Sequence, residues 1–124
     1  MQISRLPLRE NAAADVHRMV GTNGPQTADL AERIGPDLEG LAERLSIISR
    51  LYRDGRNAEI GRLAREVAGM SQSLGLLQIS RVAAALDGLA SGRDPAALGA
   101  NVARLLRLGD DALHTLWALH DAHY

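Results

Sequence analysis

The chain has 124 residues, 14 basic against 15 acidic, with Ala and Leu each occurring 20 times, Phe absent and aromatics at 2%. One ordinary domain of helices packed through aliphatic side chains fits that composition, and a sheet built on β-branched and aromatic residues does not. Zero Cys excludes disulfide scaffolds, thiolate zinc sites and cysteine nucleophiles, and a net charge of −1 without a basic stripe disfavours nucleic acid. All 14 basic residues are Arg and none is Lys. No apolar run approaches the ~20 residues that span a bilayer, and no signal-peptide apolar region opens the chain, so a cytoplasmic location without a membrane partner is expected.

Residues 9–20 can form a short helix with Val16, Met19 and Val20 on one side, and Pro7 disfavours helix before it. Gly21-Thr22-Asn23-Gly24-Pro25 reads as a linker, which divides the chain into an N-terminal segment, 1–25, and a bundle, 26–124. Thr27 is a candidate N-cap, with Asp29 in the first turn. Leu30, Ile34, Leu38, Leu41, Leu45, Ile48 and Tyr52 then recur at helical spacing until Gly55, with Gly35-Pro36 expected to kink or break the helix.

A further helix is expected from an Asn57 N-cap to Leu74, with Ile60, Leu63, Ala64, Val67, Met70, Ser71 and Leu74 facing the core. Gly75 interrupts, and Leu76, Ile79, Val82, Ala83, Leu86 and Leu89 mark the next helix, stopped at Ser91-Gly92. Asp94-Pro95 supplies an N-cap acid and a proline at the first helical position. The last helix presents Leu98, Val102, Leu105, Ala112, Leu113 and Leu116 and ends near His120. Short connections make sequential helices antiparallel neighbours. The expected fold is therefore all-α: an up-down-up-down antiparallel four-helix bundle with a short N-terminal helix or extension that caps one end or stays loose.

The 57–74 helix has an unusually small outer face. Stepping 100° per residue from its core stripe places Arg65 opposite the core, among Ala58, Gly61, Arg62, Gly69 and Gln72, with Ala68 at the edge. Two glycines inside a helix each cost about 0.5–1 kcal/mol relative to Ala, which suggests that something approaches the backbone there. Drift in a stable helix, or contact with the N-terminal segment, accounts for them equally well.

The run Arg65-Glu66-Val67-Ala68-Gly69-Met70-Ser71-Gln72-Ser73-Leu74-Gly75 resembles the signature of histidine phosphotransfer domains, the four-helix carriers of bacterial phosphorelays. That pattern is an exposed His, a Lys three residues on, then Gly, a stretch of mostly small residues and an aliphatic–Gly pair. Gly69 takes the glycine position, Ser71 and Ser73 lie in the small stretch, and Leu74-Gly75 is the closing pair. The resemblance covers about residues 27–120. The chain departs from the pattern at the reaction itself: Arg65 occupies the phosphoacceptor position, Ala68 the lysine position, and Met70 and Gln72 are larger than usual. Imidazole accepts a phosphoryl group through a neutral nucleophilic nitrogen, whereas arginine stays protonated and offers no lone pair.

The resemblance implies a module that binds a response-regulator receiver domain or a histidine kinase without carrying phosphate. Arg65, Ala58, Gly61, Arg62, Ala68, Gly69 and Gln72 would form its partner-binding face. A receiver's active site is an acidic cluster around a phosphorylated Asp, and a guanidinium can pair with such oxygens. No catalytic residue, cofactor or metal is expected, and a monomer is favoured over a dimer.

Two other readings stand beside it. One is an active carrier using another histidine, of which His114, on the outer face with Asp110 and Asp111 one turn earlier, is the mid-helix choice expected to be exposed. The other is a helical assembly or dimerisation module. His120 and His123, with Asp121 between them, make a poor metal site near a terminus, His120 being expected to close the core end, and His17 reads as a surface residue. No phosphate loop, Ser/His/Asp spacing or carboxylate pair in an apolar setting is evident. Glu39, Glu43, Arg44 and Arg50 read as solvated helix faces, and Trp117 as a core-edge residue.

Overall fold

The computed structural model describes residues 15–16 and 27–122. Four helices make up the bundle: α1 (Thr27–Arg53), α2 (Asn57–Ser73), α3 (Leu77–Ala90) and α4 (Pro95–Ala122). They pack in a ring, α1 on α2, α2 on α3, α3 on α4 and α4 on α1, with α2 and α3 in the most extensive contact. No strand occurs among the described residues. The chain is an all-α four-helix bundle.

Its core is the aliphatic ladder that the periodicity marks. Leu38, Leu41, Leu45 and Ile48 of α1 meet Ile60, Leu63, Ala64 and Val67 of α2, Ile79, Val82, Ala83 and Leu86 of α3, and Leu98, Val102, Leu105, Ala112 and Leu116 of α4. Each fully buried Leu or Ile contributes about 1.5–3 kcal/mol relative to exposure. Met70, Leu89 and Leu113 are half-buried around this core, while Leu51 and Leu108 join it unannounced by the stripes. Tyr52 is a correction: it is 40% exposed, and its phenol lies over Gly99 of α4, where no Cβ competes for the space. At the same α1–α4 crossing, Gly109 admits the Leu45 side chain against the helix backbone.

Asn101 is also buried, and its amide donates to Val82 O at 3.1 Å, a polar tie between α4 and α3 inside an apolar core. A misaligned register would leave that amide unsatisfied, at a cost of about 1–3 kcal/mol.

The helix ends follow local chemistry. Gly55 (φ +72°) and Gly75 (φ +80°) take the left-handed conformation that a side chain disfavours. Each closes a paired C-terminal motif. Arg56 N–H donates to Leu51 O at 3.0 Å and Gly55 N–H to Tyr52 O at 3.1 Å; Leu76 N–H donates to Ser71 O at 2.8 Å and Gly75 N–H to Gln72 O at 3.1 Å. Asp94 caps α4 as expected, its Oδ1 accepting from Ala97 N–H at 3.0 Å. Asn57 does not act as the cap of α2: it is the first helical residue, Arg56 precedes it without a side-chain cap, and Asn57 Oδ1 finds no partner among the described residues. Nor does Gly35-Pro36 break α1, which runs through Pro36. A proline deletes one intrahelical hydrogen bond, and one lost bond does not end a helix whose flanking turns remain formed.

Asp15 and Val16 are helical and buried against the bundle, at 2% and 0% exposure, so this part of the N-terminal segment caps it. Leu76, ahead of α3, offers no capping side chain. Asp15 supplies one from 63 residues away, its Oδ2 accepting from Gln78 N–H at 3.0 Å. Met19, Val20, His17, the 21–25 linker and His123 lie outside the described residues, as do the side chains of Thr27, Asp29, Leu30, Ile34 and His120. Replacing Asp15 with Ala is expected to lower stability by about 0.5–2 kcal/mol, the usual worth of a helix cap. Urea unfolding of both proteins measures it, and an unchanged midpoint would show that Asp15 does not cap α3.

Candidate functional site

The exposed side of α2 is one continuous stripe. Ala58, Arg62, Arg65, Gly69 and Gln72 are all exposed and follow one another at spacings of four, three, four and three residues. That alternation keeps side chains on a single face of a 3.6-residue helix. Arg62 and Arg65 dominate it, their side chains 64% and 62% exposed. Gly69 lies one turn beyond Arg65, and among the described residues a Cβ there would meet nothing within 4 Å. None of the described residues covers the backbone at Gly69.

Two members of the expected face lie elsewhere. Gly61 is buried: a Cβ there would stand 3.0 Å from Asp87 Oδ1 and 3.7 Å from Ala90 Cβ, both on α3. Ala68 is half-buried against the core, and its carbonyl accepts the Ser80 hydroxyl of α3 at 3.0 Å. The physical reason is the width of the buried side of α2. Packing against both α1 and α3 carries burial beyond the single stripe of large apolar residues, and Gly61 and Ala68 form its edge toward α3.

Arg65 is tied to that same neighbour. Its NH1 donates to Asp87 Oδ1 at 2.8 Å, and Asp87 is the guanidinium's partner among the described residues. An ion pair this exposed is worth about 0–1 kcal/mol to stability. Sequence reading missed Asp87, because pairing across 22 residues depends on helix register. The available signal was its rarity: α3 carries only Arg81 and Asp87 as charges.

On the other flank, Glu66 receives two arginines. Arg44 Nε of α1 donates to Oε1 at 2.9 Å, and Arg62 NH1 to Oε2 at 3.2 Å. Arg44 also donates to Gly40 O at 3.1 Å, so it bridges α1 and α2 instead of lying on a solvated face. The hydrogen bond from Arg44, with the charges of Arg44 and Arg62 behind it, holds the Glu66 carboxyl below its ordinary value.

Leu74 and Gly75, the closing pair of the resembled signature, are the residues that end α2 and turn the chain into α3. Ser71, in the small-residue stretch, faces the core at 0% exposure, and its hydroxyl finds no partner among the described residues. His114 is exposed on α4 beside Asp110 and Asp111, and Trp117, expected at the core edge, is instead an exposed hydrophobic residue at 38%. Among the described residues no three of His, Cys, Asp or Glu gather to hold a metal, and no helix is long and apolar enough to cross a membrane.

No family model, curated protein or solved structure matches the chain.

Two outcomes follow from this geometry. A carboxyl whose folded-state pKa lies below its unfolded value stabilises fully above the unfolded value of ~4.3, and the contribution fades as pH falls through the folded value. Glu66→Gln is expected to lower stability at pH 7 and to flatten its decline below pH ~4; urea unfolding across that range tests it, and parallel curves would refute the assignment. Gly69→Ala, which adds a methyl group where no described residue stands, is expected to raise stability by about 0.5–1 kcal/mol. A lower melting temperature would mean that Gly69 is not free on the outer face.

Proposed function

We propose that the protein is a signalling interaction module of two-component or phosphorelay type: a pseudo-phosphotransfer domain that docks a receiver domain or histidine kinase through the exposed stripe of α2. The observation that carries this reading is the stripe itself, with Arg65 at its centre and Gly69, whose backbone no described residue covers, one turn away. The four-helix architecture agrees with the resembled family, and the resembled signature runs along the helix that presents this face and into the turn that ends it.

The reading assigns no catalysis. Arg65 has no nucleophilic lone pair at any physiological pH, so it cannot carry a phosphoryl group. It can offer paired N–H donors to carboxylate or phosphate oxygens, which suits the acidic site of a receiver. The protein acts in this reading as a cytoplasmic monomer that occupies its partner instead of passing phosphate.

The test pairs a binding titration with a phosphotransfer assay, using a panel of isolated receiver domains against wild type and Arg65→Ala. Binding without transfer is expected, weakened about tenfold or more by Arg65→Ala, as for loss of a charge-assisted hydrogen bond. Appearance of an acid-labile phosphoryl group on the protein would overturn the proposal and direct attention to His114. Absence of binding across the panel would favour an assembly role, which the mass in solution then checks.

A further inference from the structure

Gly61 stands in the interior of α2, where alanine would be the better helix former. The position it leaves empty is taken by the Asp87 carboxylate of α3, whose Oδ1 would be 3.0 Å from a Cβ at residue 61. From that seat the same Oδ1 accepts from Arg65 NH1 at 2.8 Å, one helical turn further along α2. The Asp87 side chain is 34% exposed and that of Arg65 62%. The pair is therefore anchored at its carboxylate end and open at its guanidinium end. Arg65 spends one nitrogen on Asp87, and its Nε and NH2 donors have no partner among the described residues.

Resting on the docking reading above, we infer that Asp87 is the positioning residue for Arg65: seated on Gly61, it holds the guanidinium over the α2 stripe with its remaining donors presented to the carboxylate or acyl-phosphate oxygens of a receiver domain. A free arginine surrenders rotamer freedom when it docks, and one already held surrenders less. Charge complementarity selects the receiver, because the guanidiniums of Arg62 and Arg65, each bound to one carboxylate and still mostly exposed, lie in the middle of the stripe and a receiver offers an acidic cluster. The carboxylate of Asp87 works against that attraction through its own negative charge. Asparagine keeps an acceptor oxygen in the same seat and removes the repulsion, so the hydrogen bond and the charge can be separated experimentally.

The experiment uses the full chain as wild type, Asp87→Ala, Asp87→Asn, Gly61→Ala and Arg65→Ala. Nitrogen-15 relaxation of the Arg65 Nε–H group reports its order, with Arg62 as the internal reference. Dissociation constants are measured for isolated receiver domains with and without beryllofluoride. Asp87→Ala and Gly61→Ala are expected to release Arg65 and to weaken receiver binding threefold to tenfold. Asp87→Asn should keep Arg65 ordered and bind at least as tightly as wild type, a rescue that a merely structural role for Asp87 would not produce. Equal Arg65 order in wild type and Asp87→Ala would overturn the inference. So would wild-type affinity in Asp87→Ala beside a loss in Arg65→Ala, an outcome that leaves the docking reading in place. No binding by wild type removes the docking reading, and the positioning role with it.

Discussion

The geometry of this molecule depends on the three-residue connection between α2 and α3. Gly75 takes a left-handed conformation there, and two backbone hydrogen bonds, from Leu76 to Ser71 and from Gly75 to Gln72, close the end of α2. A connection that short leaves the following helix one course, back along the face it has just left. The register of α3 on α2 is thereby set, and with it the pairs that meet across the interface: Asp87 over Gly61, and Ser80 on the Ala68 carbonyl. Asp15 reinforces the turn from outside by accepting the Gln78 amide at the start of α3.

Small residues let the two helices approach, and the two glycines of α2 divide between different causes. Gly61 faces inward and makes room for a carboxylate, whereas Gly69 faces outward with no described residue near it. A single explanation for both, whether drift or docking, does not fit the structure. Helix propensity alone would fill both positions with alanine. Packing explains the first, and at the second no described residue approaches the backbone.

The architecture was legible because the apolar spacing is regular and the punctuation is strong. Gly55, Gly75 and Asp94-Pro95 mark helix ends within a residue or two of where they fall, and the large aliphatics of the expected stripes whose side chains are described are buried or half-buried. What stayed hidden depended on tertiary register. Tyr52 shares its helical face with Ile48 and Leu45, yet it lies at the end of α1, where the bundle no longer surrounds it and Gly99 offers a shelf. Gly61 and Ala68 have no bulk to mark them as interior, so a pattern built on large side chains assigns them to the outside. Arg44 and Glu66, like Arg65 and Asp87, are 22 residues apart, and nothing local in the sequence joins either pair.

Arg65 gathers these levels into one question of chemistry. An exposed pair with Asp87 adds little to stability, and α2 and α3 already share the most extensive helix contact and one apolar core. What the pair changes is direction: a long side chain with many rotamers becomes one whose charge has a defined place. Orientation of that kind has little effect on a surface facing only water, and a large one where a planar donor must meet two oxygens at once.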